Sequence, residues 1–214
     1  MLYKKLLGDG EVLNLYNYIS KRNTCPFDHS ITHIYRTCEN AKTLADMLEI
    51  NDRRKELLLS SCALHDIGYA HSRYKHAIFG ALKCKNILKR YNFHPEDIEM
   101  ISSAISSHNS LNLADYIFDI SILTMLADKL DISHFRVNTG FIHDNSPLLN
   151  IEYVSFERAQ NSISVLLNCK PETIIKEVEV HNLVAKLDDY LELASMFFSV
   201  KFCLKINKRK ALTN

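Results

Sequence analysis

Leu57-Leu-Leu-Ser-Ser-Cys-Ala-Leu-His-Asp-Ile-Gly68 opens with a run, Leu57 to Leu64, that is apolar nearly all round. A helix without a polar face is covered on every side, so this segment reads as the central helix of a bundle. Asn51 or Asp52 serves as its cap, and Gly68 as its end. Outward from it the period stays helical. Val12, Leu15, Tyr16 and Ile19 recur at helical intervals across residues 11–22, behind Gly8 and Gly10. After Cys25-Pro26, the residues Ile31, Ile34, Tyr35, Cys38, Ala41, Ala45 and Leu48 form one stripe, with Asp28 or Ser30 as the N-cap. A further helix runs from His76 to Tyr91 through Ile78, Ala81, Leu82 and Ile87, and Asn92 stops it. Pro95-Glu-Asp97 opens another, with proline in the first turn and carboxylates at the positive end of the dipole, followed by Ile98, Ile101 and Ile105. The last of this series starts near Asp119 and carries Ile122, Leu123, Leu126 and Leu130.

The character changes after Gly140. Ile151 to Phe156 and Ser162 to Leu167 are rich in β-branched and aromatic residues around Arg158-Ala-Gln-Asn161, which predicts a hairpin. Pro171 opens a helical region continued by Leu183, Leu187, Leu191 and Ala194, and Ser199 to Ile206 reads as a last strand. The expectation is a mostly α protein, with a helical domain over 1–140 and a smaller α+β segment over 141–214. That segment carries no chemical motif; its expected part is structural, or the pairing of two subunits through the hairpin. Lys205 to Lys210 reads as a solvated tail.

The composition narrows the partners. Twenty-six Lys+Arg against 25 Asp+Glu leave a formal charge of +1, without the basic excess of a protein that coats polymeric nucleic acid or an anionic membrane. A small ligand or a protein partner is expected instead. Six scattered cysteines without a C-x-x-C read as reduced, buried thiols in a cytosol. The N-terminus does not read as a signal peptide, and no window approaches the roughly 18 uninterrupted apolar residues of a membrane helix. A cytoplasmic location is the expectation.

His65-Asp66, at the end of the most buried helix, is costly to bury without a partner that offsets desolvation. A divalent metal is such a partner, and a capped helix end with His65 bonded to a carbonyl is the alternative. Other candidates fall on other helices: His33 beside the stripe of its helix, His76 at the start of one, His108 at the end of another, and Asp128 among Leu126, Ala127 and Leu130. Five helices each offering one such side chain form a constellation.

On these residues the chain resembles the HD superfamily of metal-dependent phosphohydrolases, named for its His-Asp doublet. The pattern H…HD…D, with the doublet extended as HDIG, is matched by His33, His65-Asp66-Ile67-Gly68 and Asp128. His33-Ile-Tyr-Arg-Thr with Ala41 and Leu44-Ala45 looks like the family's first ligand helix, and Ala127-Asp-Lys-Leu-Asp131 like its last. His76-Ala-Ile-Phe-Gly-Ala and Ala104-Ile-Ser-Ser-His108 are similar to the two inserted ligand motifs of the symmetrical dinucleoside tetraphosphatases in that superfamily. The resemblance implies an HD-domain helical bundle with one or two divalent metal ions. His33, His65, Asp66 and Asp128 would hold the first and His76 and His108 the second, with Asp66 bridging. His29, four residues before His33, is the rival for that ligand place.

Two metals about 3.5–4 Å apart activate a shared water and neutralise a phosphoryl group displaced in line, so no serine or cysteine nucleophile is needed. Asp66 is then a ligand and an acceptor of the water's proton. Lys129 ranks first among the basic residues expected to face the phosphate, ahead of Arg73 and Lys75. The implied substrate is a nucleotide or another small phosphorylated metabolite. A regulatory module that only binds metal and nucleotide is the alternative, and a dinuclear-iron oxygenase the third reading. Nitrogen and oxygen ligation suits Mn, Fe, Co, Ni or Zn alike.

Overall fold

The computed structural model describes residues 1–22 and 25–208. They divide into two compact units, one of residues 1–22 and 29–128, the other of residues 25–28 and 129–208.

The first unit is helical. Helix α1 (Leu2–Leu7) precedes α2 (Gly10–Arg22), α3 (Ile31–Met47) and α4 (Asp52–Leu64); then come a single 3-10 turn at Ile67–Ala70, α5 (His76–Arg90), α6 (Pro95–Ser107) and α7 (Asp119–Lys129). Asp9 opens α2 by accepting from the amides of Glu11 at 2.9 Å and Val12 at 3.1 Å. Ser30, of the two caps expected, accepts from Thr32 N, and Asn51 accepts from Arg54 N at 3.0 Å; each such cap is worth about 0.5–2 kcal/mol. In α4 every residue from Leu57 to Leu64 is buried, so the central position expected of it holds. The helix nonetheless stops at Leu64, and Ile67–Ala70 forms a tighter turn instead of continuing to Gly68.

Two stripes differ from their sequence reading. Tyr35 is 50% exposed on α3, whose buried face is His33, Ile34, Thr37, Cys38, Ala41, Leu44 and Ala45. On α5, Ile78 and Leu82 point to solvent, and the buried face is His76, Gly80, Ala81, Cys84, Ile87 and Leu88. In both, the sequence offered two overlapping apolar faces, and the one bearing a histidine turns inward. Helix α1 was not expected: six residues containing two lysines give too short a pattern to read.

The second unit carries a three-stranded sheet in the order β1 (Ile151–Ala159), β2 (Ser162–Cys169), β3 (Lys201–Lys208). The expected hairpin is present, with Ala159 opposite Ser162 and Phe156 opposite Val165. Strand β3 returns parallel to β2, Ser162 facing Lys201 and Cys169 facing Lys208. A parallel return needs a crossover, supplied by α8 (Ile175–Glu179), α9 (Asn182–Ala185) and α10 (Leu187–Phe198). Between two partners, β2 is buried from Ile163 through Cys169 except for a slight opening at Asn168 and Ser164. Lys205 and Lys208 are exposed residues of β3 rather than a tail, while Arg209 and Lys210 lie outside the described residues. Among the described residues no helix is long and apolar enough to cross a membrane.

Candidate metal centre

The first unit brings four histidines and two acids to one place because each sits at or near a helix end. His33 lies in the first turn of α3, His65 caps the C-terminus of α4, His76 begins α5, His108 caps α6, and Asp128 lies in the last turn of α7. Asn40 Nδ2 donates to Ala127 O at 3.2 Å and fastens that last turn to α3. Gly68 sets the approach between the turn after Asp66 and α5. A Cβ there would lie 2.0 Å from His76 O and 2.4 Å from Gly80 N, distances no carbon tolerates. Gly80 is close but less tight, a Cβ there lying 3.1 Å from His65 O and 3.2 Å from Ile105 Cγ2. Two glycines therefore let the doublet lie directly against the start of α5.

The Asp66 carboxylate stands at the centre, with one oxygen toward each pair of imidazoles. Its Oδ2 lies 3.5 Å from His33 Nε2 and 3.3 Å from His65 Nε2. Its Oδ1 lies 3.7 Å from both His76 Nε2 and His108 Nε2. Asp128 Oδ1 closes the first pair, 3.2 Å from His33 Nε2 and 3.6 Å from His65 Nε2. Within each pair the Nε2 atoms face each other, at 3.3 Å for His33 and His65 and 3.2 Å for His76 and His108. Asp66, His33, His65 and His108 are all at most 1% exposed.

The other ring nitrogens fix what these atoms are. His65 Nδ1 meets Cys62 O at 2.9 Å, His76 Nδ1 meets Arg73 O at 2.7 Å, and His108 Nδ1 meets Ile105 O at 2.6 Å. A carbonyl only accepts, so each Nδ1 carries the proton and donates, and Nε2 of the neutral ring is left as a bare lone pair. This is the outer-shell arrangement that orients histidine ligands. Ligands about 2.1 Å from one cation stand roughly 3.0–3.4 Å apart, and the facing Nε2 pairs match that span. The donor set therefore fits divalent metal. Three overlapping groups of ligand atoms, His33-His65-Asp128, His65-Asp66-His108 and His29-His33-Asp66, each gather within 4.8 Å.

The electrostatics agree. Burial works against a charged His65, but the Asp66 and Asp128 carboxylates outweigh it and raise its pKa to about 10. Burial likewise opposes the Asp66 anion, and the His65 and His29 imidazoles hold it well below the usual carboxylate range. A proton on His65 thus occupies the place a metal would take, and binding of metal would release it. Since the folded pKa exceeds the ordinary 6.5, the proton stabilises the metal-free fold fully below about pH 6.5 and its contribution is lost as pH rises through 10. Metal-stripped protein is expected to show a falling urea midpoint across that window, whereas protein saturated with metal holds its midpoint there. Identical profiles for the two forms would refute the assignment.

His29, the rival to His33, stands beside it rather than replacing it: its Nδ1 lies 2.6 Å from Asp66 Oδ2. Tyr69 stacks between His29, at 4.1 Å, and His76, at 3.9 Å. Asn109, which the sequence reading passed over, places Nδ2 2.7 Å from His76 Nε2 and 3.1 Å from His108 Nε2. Its position directly after His108 was the one available signal. Lys129 belongs to the second unit, where its ammonium lies 5.8 Å from the centre of the Tyr190 ring. Arg73 and Lys75 are exposed, and what Arg73 gives the site is its carbonyl. Burial pushes the nearby Cys62 thiol up to about 12, so near neutral pH it stands as the thiol.

Residues 30–133 match the HD domain family, a span that includes His33, His65, Asp66, His76, His108 and Asp128. Among solved structures, the crystal structure of a predicted HD superfamily hydrolase from an uncultured Thermotogales bacterium is 26% identical. It covers 57% of this chain and 67% of that one, with a TM-score of 0.47. No protein of curated function matches the chain.

Proposed function

We propose, from the match of residues 30–133 to the HD domain family, that the chain is a metal-dependent phosphohydrolase acting on a phosphate ester or anhydride of a nucleotide or another small phosphorylated metabolite. One observation carries the reading: a single buried carboxylate shared between two pairs of imidazoles, each presenting Nε2 inward. His33, His65, Asp66 and Asp128 would hold a first divalent cation, and His76, His108 and the other oxygen of Asp66 a second. When bound, such cations acidify water and neutralise a phosphoryl group during in-line displacement.

The chain's own residues do the remaining work. The carbonyls of Cys62, Arg73 and Ile105 keep the three Nδ1 protons in place, so the ring orientation is set before substrate arrives. His29 holds Asp66 Oδ2 at 2.6 Å and is placed to take or return a proton at that oxygen. Tyr69 braces the rings of His29 and His76 from between. The Asp66 carboxylate, and not a hydroxyl or thiol of the protein, would accept the proton of the reacting water.

Metal analysis of purified protein, joined to a phosphate-release screen over nucleotides and small phosphate esters, tests the proposal. At least one transition metal per chain and metal-dependent phosphate release are expected. A chain that binds no metal refutes the site. Metal-loaded protein that binds a nucleotide without turnover assigns the domain to regulation instead.

A further inference from the structure

Asn109 resolves a conflict that the second pair of imidazoles creates. With both Nδ1 atoms donating to carbonyls, His76 and His108 turn two lone pairs toward each other at 3.2 Å. Two acceptors at that distance repel unless hydrogen or a cation stands between them. The Asn109 amide nitrogen lies within reach of both, 2.7 Å and 3.1 Å away, and an amide NH2 has two hydrogens, one for each. In the other pair, His33 Nε2 lies 3.2 Å from Asp128 and His65 Nε2 3.3 Å from Asp66. The two halves of the centre therefore differ in what a cation must displace.

We propose that Asn109 is an internal competitor for the second cation: its carboxamide occupies the His76–His108 pair in the metal-free state and must leave before that half fills. This rests on reading His76 and His108 as cation ligands. Filling is then sequential, the His33–His65–Asp128 half first and the His76–His108 half second and more weakly, and the second cation is the one that free metal concentration controls. Asn109 is a positioning residue in this scheme; it acts through the two imidazoles and touches neither water nor phosphate.

Calorimetric titration of metal-stripped full-length protein with Co²⁺, followed in parallel by the visible absorption of the bound ion, tests this. Wild type is expected to bind two Co²⁺ in resolved steps. Asn109→Ala removes the competitor, and losing two hydrogen bonds from the metal-free state should tighten the second step about tenfold while leaving the first unchanged. Asn109→Asp cannot donate and adds a charge, so it should tighten the second step at least as much, and it keeps the inference testable if the alanine variant folds poorly. A second step that is unchanged in both variants overturns the competitor role. A second step that weakens in Asn109→Ala makes the carboxamide a ligand and also overturns it. Failure of the underlying reading looks different: wild type then binds a single Co²⁺, and His76→Ala leaves the titration unaltered.

Discussion

Asp66→Ala is expected to abolish phosphate release, by at least about 10³-fold in kcat/KM, and to empty both halves of the centre together. The reason is geometric. Asp66 lies within 4 Å of His33, His65, His76 and His108 at once, its Oδ2 serving the first two and its Oδ1 the others. Removing it takes away the only anion facing the second pair among these contacts and leaves the first pair with Asp128 alone. It also withdraws the larger of the two attractions that keep His65 protonated in metal-free protein, so the His65 pKa falls from about 10. Asp66→Asn keeps the shape and most packing while deleting the charge, which separates loss of ligation from loss of structure. Metal content per chain and phosphate release, measured on both variants, should fall together. Either variant retaining two metals per chain would remove Asp66 from the shared position given to it here.

Gly68→Ala is expected to cost about 3 kcal/mol or more of stability, at the upper end of the usual range for inserting a methyl into filled space. The added carbon meets His76 O at 2.0 Å and Gly80 N at 2.4 Å, and both are backbone atoms that no rotamer change can move aside. Relief requires the 3-10 turn to slide away from α5, and that carries Asp66 away from His76 and His108. Metal affinity in the second half should fall with the urea midpoint, whereas Gly140→Ala, which meets nothing within 4 Å, should change neither. A Gly68→Ala protein with the wild-type midpoint would show that the turn and α5 are not held in contact.

What the sequence disclosed and what it hid follow from the range of the forces involved. The helices of the first unit were legible because their caps and periods are local: Ser30, Asn51 and Pro95 start helices where their chemistry says they should. The six proposed ligands were legible because burying an acid or an imidazole among Leu, Ile and Ala needs a reason visible in the residues themselves. The turn at Ile67–Ala70 was not, because what ends α4 is the approach of α5, a contact with residues eight to twelve positions further on. The parallel return of β3 depends on a crossover whose path no local pattern records. Asn109 was hidden for a related reason: an amide beside a histidine is unremarkable until a second histidine, from 33 positions away, is seen to share it.

The ring of Tyr69 has an imidazole on each face. Were the substrate a nucleotide, its base would find no aromatic shelf on that side chain, since two imidazoles already stack on it. Any preference for one nucleobase over another would then have to arise from a different wall.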